Sequence, residues 1–137
     1  MAFLLDTNIV IYDMNGVETA SQLIETLLDT GPIAISTITL MEILEGLQGR
    51  YGPSSAEQRF IAFSRQSEVL DFGREEAQVA AHIRHSIRAV GRNVRHRPLD
   101  LMIAATALSY DLTLVTSNAV DYQDVPDLRL KVAELHV

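Results

Sequence analysis

The sequence predicts a three-layer α/β/α fold around a short, mostly parallel sheet. Short apolar runs of strand length alternate with segments of helical period along the chain. Gly-Pro pairs at Gly31-Pro32 and Gly52-Pro53 punctuate that alternation. A chain of 137 residues with 47% hydrophobic content suits one domain, residues 1–137, and can bury a core without disulfides or zinc.

The elements follow in order. Phe3 to Leu5 reads as a short buried strand with Asp6 at its carboxyl end. From Thr19 to Asp29, apolar Ala20, Leu23, Ile24, Leu27 and Leu28 have the spacing of an amphipathic helix, which Gly31-Pro32 stops. Ile33 to Ile35 is the next strand, and a helix runs from about Thr39 to Gly46. Gly49 to Ser54 is a loop. Ser54 or Ser55 caps a helix through about Ser67, with Glu57 or Gln58 in its first turn. Val69 to Phe72 is a short strand or connector. Glu75 to Val90 is a long helix with Val79, Ile83, Ile87 and Val90 on one stripe, ended by Gly91. Pro98 suits the first turn of a helix. Leu99 to Tyr110 is apolar on most sides and therefore central. Leu112 to Thr116 is a strand, and Leu128 to Val132 a last edge strand.

Composition excludes several classes. The absence of cysteine removes disulfide frameworks, thiolate zinc sites and thiol catalysis, and fits a reducing cytoplasm. No run approaches the ~18 apolar residues of a membrane span, and the N-terminus does not read as a secretory signal. The expectation is a cytoplasmic protein with no membrane association. The formal net charge of −7 is unlike that of a nucleic-acid binder. Charge is uneven, however: Arg74, Arg84, Arg88, Arg92, Arg95 and Arg97 lie close together with His82, His85 and His96. A local basic face on an acidic body is compatible with this pattern. Arg84, Arg88 and Arg95 are candidate RNA contacts, or else a solvated helix face.

Four acidic residues sit beside stretches expected to be buried. Asp6 ends the first strand. Glu42 lies in Leu40-Met41-Glu42-Ile43-Leu44, Asp100 is the only charge between Leu99 and Tyr110, and Asp121 follows the strand ending at Thr116. Sites in parallel α/β sheets lie beyond the carboxyl ends of the strands, where Asp6 and the 116–121 turn belong. Each acid has a plainer reading: a turn or N-cap aspartate, a solvated glutamate, a dipole-complementing aspartate, a loop residue. A helical wheel puts Glu42 nearly opposite the stripe of Leu40, Ile43, Leu44 and Leu47, with Glu45 as its rival. Asp121 competes with Asp124 and Asp127. Brought together, the four would repel one another strongly enough to call for a divalent cation.

Taken together, Leu4-Leu5-Asp6-Thr7-Asn8, Thr39-x-x-Glu42-Ile43-x-x-Gly46, Asp100-x-x-Ile103-Ala104-Ala105-x-Ala107-Leu108 and Leu114-Val115-Thr116-x-Asn118-x-x-Asp121-Tyr122 resemble the PIN-domain ribonucleases, in particular the VapC-type toxins of toxin–antitoxin pairs. The likeness runs from position 3 to about 133. It implies a PIN-like fold and catalytic, metal-binding roles for Asp6, Glu42, Asp100 and Asp121, with Asn8, Thr116 and Asn118 in support. It also implies Mg²⁺ or Mn²⁺ as cofactor, RNA as substrate, products with 5′-phosphate and 3′-hydroxyl ends, and a cognate antitoxin as partner. Tyr122 stands where the family often has Phe.

The residue chemistry agrees with that implication. Carboxylates without His or Cys suit hard cations. A pocket of acids in a chain of net charge −7 favours a basic partner segment. Apolar surface around Leu23, Leu27, Leu44 and Leu47 is the expected seat of an amphipathic partner helix or of a homodimer. Two rivals stand beside the ribonuclease. A haloacid-dehalogenase-type phosphatase would want an aspartate two positions after Asp6, where this chain has Asn8. A non-catalytic RNA- or protein-binding module would be marked by loss of an acid, and all four are present.

Overall fold

The computed structural model describes residues 2–48 and 54–137. Strands β1 (Phe3–Leu5), β2 (Ile33–Ser36), β3 (Ser67–Leu70), β4 (Thr113–Thr116) and β5 (Leu130–Val132) form one sheet in the order β3-β2-β1-β4-β5. Each neighbouring pair is parallel, so the sheet is parallel throughout its described strands. The chain leaves β1 toward β2 on one side and returns as β4 on the other. The crevice at the carboxyl ends of β1 and β4 is therefore the topological switch point, where such sheets bind ligands.

The helices are α1 (Thr7–Met14), α2 (Glu18–Thr30), α3 (Thr37–Leu47), α4 (Ser55–Ser64), α5 (Arg74–Ala89) and α6 (Pro98–Ser109). Strand side chains alternate between the two faces, and this creates the layers. Phe3, Leu5, Ile33, Ile35 and Val115 join Ile9, Val10 and Met14 of α1, Ile24 and Leu27 of α2, and Phe60 and Phe63 of α4. Leu4, Ala34 and Leu114 face the other way, onto Ile83 and Ile87 of α5 and the buried face of α6. Both faces of the sheet are covered, so the strands read as unbroken apolar runs. In α6, Leu101, Ile103, Ala104, Ala105 and Ala107 are all buried, as expected of a central helix.

Several elements differ from the sequence expectation. Helix α1 was outside it altogether. Its β-branched run Ile9-Val10-Ile11 favours a strand. Capping by Asp6 and burial of Ile9, Val10 and Met14 make it helical instead. Helix α4 starts as expected, with the Ser54 hydroxyl accepting from the Glu57 amide at 3.1 Å, but ends at Ser64. Ser67 already belongs to β3, which pairs with β2 from Ser67 to Leu70. The predicted 49–54 loop falls largely on residues 49–53, outside the described residues. The expected apolar docking surface shrinks. Leu27 is core, Leu23 and Leu47 pack partly against it, and of the four only Leu44 stays exposed, beside Met41. No helix among the described residues is long and apolar enough to cross a membrane.

Candidate active site at the carboxyl edge of the sheet

Asp6 is positioned twice over, as the residue after β1 and as the N-cap of α1. One carboxylate oxygen accepts from the Thr7 amide at 2.9 Å and from the Tyr122 hydroxyl at 2.9 Å. The other accepts from the Thr116 hydroxyl at 2.8 Å. The side chain is buried. Burial pushes its pKa above the ordinary aspartate value, against the three hydrogen bonds, and the nearby Asp121 charge adds to the rise.

Helix α3 delivers Glu42. Its N-cap is Ser36, the last residue of β2, whose hydroxyl accepts from the Thr39 amide at 3.1 Å. The Thr7 hydroxyl donates to Glu42 Oε1 at 2.8 Å and lies 2.9 Å from the Thr39 hydroxyl. The wheel correctly kept Glu42 off the apolar stripe, but the side it occupies faces the crevice and is half-buried. Leu44, which the wheel assigned to the stripe, is 45% exposed, and Glu45 is exposed too.

Asp100 sits in the first turn of α6, two residues after Pro98. Its Oδ1 is 3.4 Å from the Tyr122 hydroxyl that also holds Asp6. Its pKa is pushed up to about 6, first by burial and then by the charges of Asp6, Asp121 and Glu42. Four carboxylates drawn from four segments thus share one electrostatic field.

Asp121 closes the 3₁₀ turn Ala119–Asp121 that follows β4. Asn118 Nδ2 donates to its Oδ2 at 2.6 Å, while the Asn118 amide donates to the Thr116 hydroxyl at 3.0 Å. Thr116 in turn donates to Asp6, so one relay orients two of the acids. The rivals of Asp121 separate cleanly. Asp124 is gripped at both oxygens by Arg97, at 2.8 and 2.6 Å. Asp127 is exposed with φ 63°. Arg97 also donates to the Asp121 carbonyl at 2.5 Å, so this arginine braces the loop.

Asn8 has an exposed side chain; the hydroxyl that reaches Glu42 belongs to its neighbour Thr7. Sequence reading also missed Tyr122, 1% exposed and hydrogen-bonded between Asp6 and Asp100. The available signal was the hydroxyl of Tyr122 where a phenylalanine is usual. Tyr122→Phe is expected to lower stability in chelator by about 1–2 kcal/mol, because a buried hydrogen bond to a carboxylate is lost while Asp6 keeps its other donors. Urea unfolding measures this, and an unchanged midpoint would mean that the hydroxyl contributes nothing.

None of the ion pairs among the described residues, Arg92–Asp124, Arg97–Asp124 and Arg129–Asp111, involves Asp6, Glu42, Asp100 or Asp121. Among the described residues the four have neutral side-chain donors and no ion-pair partner, although the charges of Asp121 and Asp100 are felt at Arg97. Among the described residues no three acids or histidines stand as a ready-made metal-ligand set. Between Glu42 and Asp100 opens a cavity of about 290 Å³, also lined by His96, Arg97, Pro98 and Leu99.

Fold and site define a parallel α/β domain whose polar crevice is built on carboxylates at the switch point. Residues 3–128 match the family model of the PIN domain, and the chain belongs to that family. It is 33% identical to the tRNA(fMet)-specific endonuclease VapC of Shigella flexneri, over 94% of this chain and 96% of that one. It is 28% identical to ribonuclease VapC2 of Rickettsia felis, over 96% and 97%. Among solved structures, VapBC2 from Rickettsia felis bound to a promoter DNA fragment superposes with a TM-score of 0.85 at 27% identity, covering 98% of this chain and all of that one. VapBC-1 from nontypeable Haemophilus influenzae gives 0.78 at 26%, covering 96% and 98%.

Proposed function

We propose that this chain is a divalent-metal-dependent endoribonuclease and the toxin of a type II toxin–antitoxin pair. The observation that carries the reading is the crowding at Asp100: burial and three other carboxylates raise its pKa, and among the described residues none of the four acids has an ion-pair partner. A protein tolerates such a cluster at a crevice when a cation completes it. The ribonuclease names of the full-length relatives and the toxin–antitoxin nature of the structural neighbours support the same reading.

The donor set fits Mg²⁺ or Mn²⁺, being carboxylate oxygen alone. Asp6 and Asp100, which face one hydroxyl, would be the primary ligands; Glu42 and Asp121 would complete the site directly or through water. A bound ion of this kind supplies an acidified water and neutralises charge on the phosphate. The chain's own residues orient and support. Thr116 and Tyr122 fix the Asp6 carboxylate, Thr7 fixes Glu42, and Asn118 fixes Asp121. Hydrolysis breaks the P–O3′ bond and leaves 5′-phosphate and 3′-hydroxyl ends. Incubating the purified chain with a mixed RNA pool and Mg²⁺ or Mn²⁺, then mapping the ends, tests this. Intact RNA in both metals, or 2′,3′-cyclic ends, would refute it.

The raised pKa of Asp100 makes a second test. In chelator, its neutral form is favoured by folding. The associated stability is fully present below the ordinary value of 3.8 and is lost as pH rises through about 6. That difference amounts to about 3 kcal/mol at full effect, and solvent screening reduces it to about 1–2 kcal/mol. The metal-free protein is therefore expected to gain stability from pH 7.5 to 5, a gain that Asp100→Asn reduces while the raised Asp6 carboxyl keeps part of it. A flat profile in the wild type would contradict the crowding of charge.

The partner in this reading is a basic antitoxin that covers the acidic crevice and the exposed Met41–Leu44 face of α3. Co-expression with the small reading frame beside the gene should yield a complex with suppressed ribonuclease activity. Failure to form a complex, or a complex with full activity, would refute the antitoxin reading and leave the nuclease standing.

A further inference from the structure

A second polar cleft lies next to the acidic one and has the opposite charge. It has a volume of about 340 Å³ and is lined by Arg84, Arg88, Arg92, Asn93, Val94 and Arg95. Arg84 and Arg88 are four apart on α5 and so share a face. The helix then ends in a paired turn. The Gly91 amide bonds to the Arg88 carbonyl at 2.9 Å and the Arg92 amide to the Ile87 carbonyl at 3.1 Å. Gly91 takes the left-handed conformation, φ 82°, that this turn requires. The glycine folds the run of arginines back on itself and so joins the two halves. Val94, 3% exposed, pins the returning loop to the core, and the Asn93 side chain accepts from the Arg95 amide at 2.7 Å.

Three features indicate what this cleft takes. Arg84, Arg88 and Arg95 form no ion pair among the described residues, and Arg92 is only 4.0 Å from Asp124 while 62% exposed. Converging guanidinium groups without carboxylates create a local positive potential in a chain whose net charge is −7. The cleft lies at the negative end of the α5 dipole, but about half a charge there is outweighed by four arginines. Finally, consecutive residues line the two cavities: Arg95 the basic one and His96 the acidic one. The braced series Arg92, Asp124, Arg97 and the Asp121 carbonyl ties the two together.

We infer that this arginine cleft binds the backbone phosphates of RNA flanking the bond to be cut, a site distinct from the carboxylate cluster. The inference rests on the ribonuclease reading for its orientation toward the acids. Guanidinium forks match phosphate oxygens, and a strand with one phosphodiester among the acids has its next phosphates available for the arginines. An acidic protein segment on the same path would push carboxylates against Glu42 and Asp100. Contacts to phosphate carry no sequence information, so the cleft supplies affinity and register rather than base choice.

The test measures binding of a short 5′-fluorescein-labelled single-stranded RNA by anisotropy, in full-length protein carrying Asp100→Asn to prevent cleavage. Adding Arg88→Ala and Arg95→Ala is expected to weaken binding at least about 10-fold at moderate salt. It should also flatten the log–log salt slope by about 1.4, or ~0.7 for each of two lost phosphate contacts. Arg88→Lys with Arg95→Lys should restore most of the slope, and Arg65→Ala with Arg74→Ala, exposed and outside the cleft, should leave both quantities within about twofold. Unchanged affinity and slope overturn the inference, as does a parent that shows no salt-dependent RNA binding. Unchanged RNA affinity with lost poly-glutamate binding also overturns it and assigns the cleft to an acidic protein segment. Wild-type cleavage is scored separately. Cleavage with unaltered binding in the arginine variants refutes only the cleft; intact cleft binding without cleavage refutes only the nuclease.

Discussion

Asp100→Asn is expected to reduce RNA cleavage by about 10³-fold, roughly 4 kcal/mol of transition-state stabilisation, while leaving the metal-free fold as stable as the wild type or more so at pH 7.5. The two effects have opposite signs for one physical reason. Burial first, and then the field of Asp6, Asp121 and Glu42, raises the pKa of this carboxylate to about 6. Removing the charge relieves that repulsion and keeps the shape. The same removal takes away a donor that a cation would need. Asp6→Asn should lose cleavage equally and also stay folded, because asparagine is as good an N-cap as aspartate for α1. Asp6→Ala should instead lose the cap, at about 1 kcal/mol. Cleavage rates within about tenfold of wild type in either asparagine variant, or a clear loss of stability in Asp100→Asn, would remove that residue from its assigned role.

Chelation is expected to abolish cleavage outright, and added Mg²⁺ or Mn²⁺ to restore it. The same metals should stabilise the fold, since a ligand that binds only the native state adds about 2.7 kcal/mol at a hundredfold excess over its Kd. For a domain of this size that amounts to roughly 5–10 °C in Tm. The stabilisation should shrink sharply in Asp6→Asn and Asp100→Asn, which separates site binding from general salt effects. Full activity in excess chelator would rule out the metal-dependent mechanism, whatever the acids do.

Much of the architecture was legible because the apolar patterns were unambiguous. Leu99–Tyr110 read as a buried helix, and α6 is one. The positions of Asp6 and of the 116–121 turn after strands placed both at one sheet edge, and β1 and β4 are indeed neighbours. What escaped was decided by contacts distant in sequence. Helix α1 has the propensities of a strand and is helical because Asp6 caps it and the core receives Ile9, Val10 and Met14. Periodicity on one helix could not choose Glu42 over Glu45, since the reason is a hydroxyl on Thr7 of another helix. The choice of Asp121 over Asp124 needed the partner of Arg97. Tyr122 and Thr7 escaped because a hydroxyl that orients a carboxylate leaves no periodic signal.

The partners of Asp6 also set a timetable. Two of the donors to Asp6, Thr116 and Tyr122, lie 110 and 116 positions later in the chain and are synthesised after it. Strand β1 pairs with β4 from Phe3 to Leu5, so until β4 has been synthesised the middle of the sheet has an open side. During synthesis Asp6 therefore waits for both β4 and its two distant hydroxyl donors. At about 5–20 residues per second, the 110 positions from Asp6 to Thr116 take roughly 6–22 s to make. The carboxylate cluster at the sheet edge is therefore completed late in synthesis, by a strand and two hydroxyls that follow Asp6 by more than a hundred residues. By the same logic a fragment that stops before Thr113 lacks both β4 and the two distant donors to Asp6.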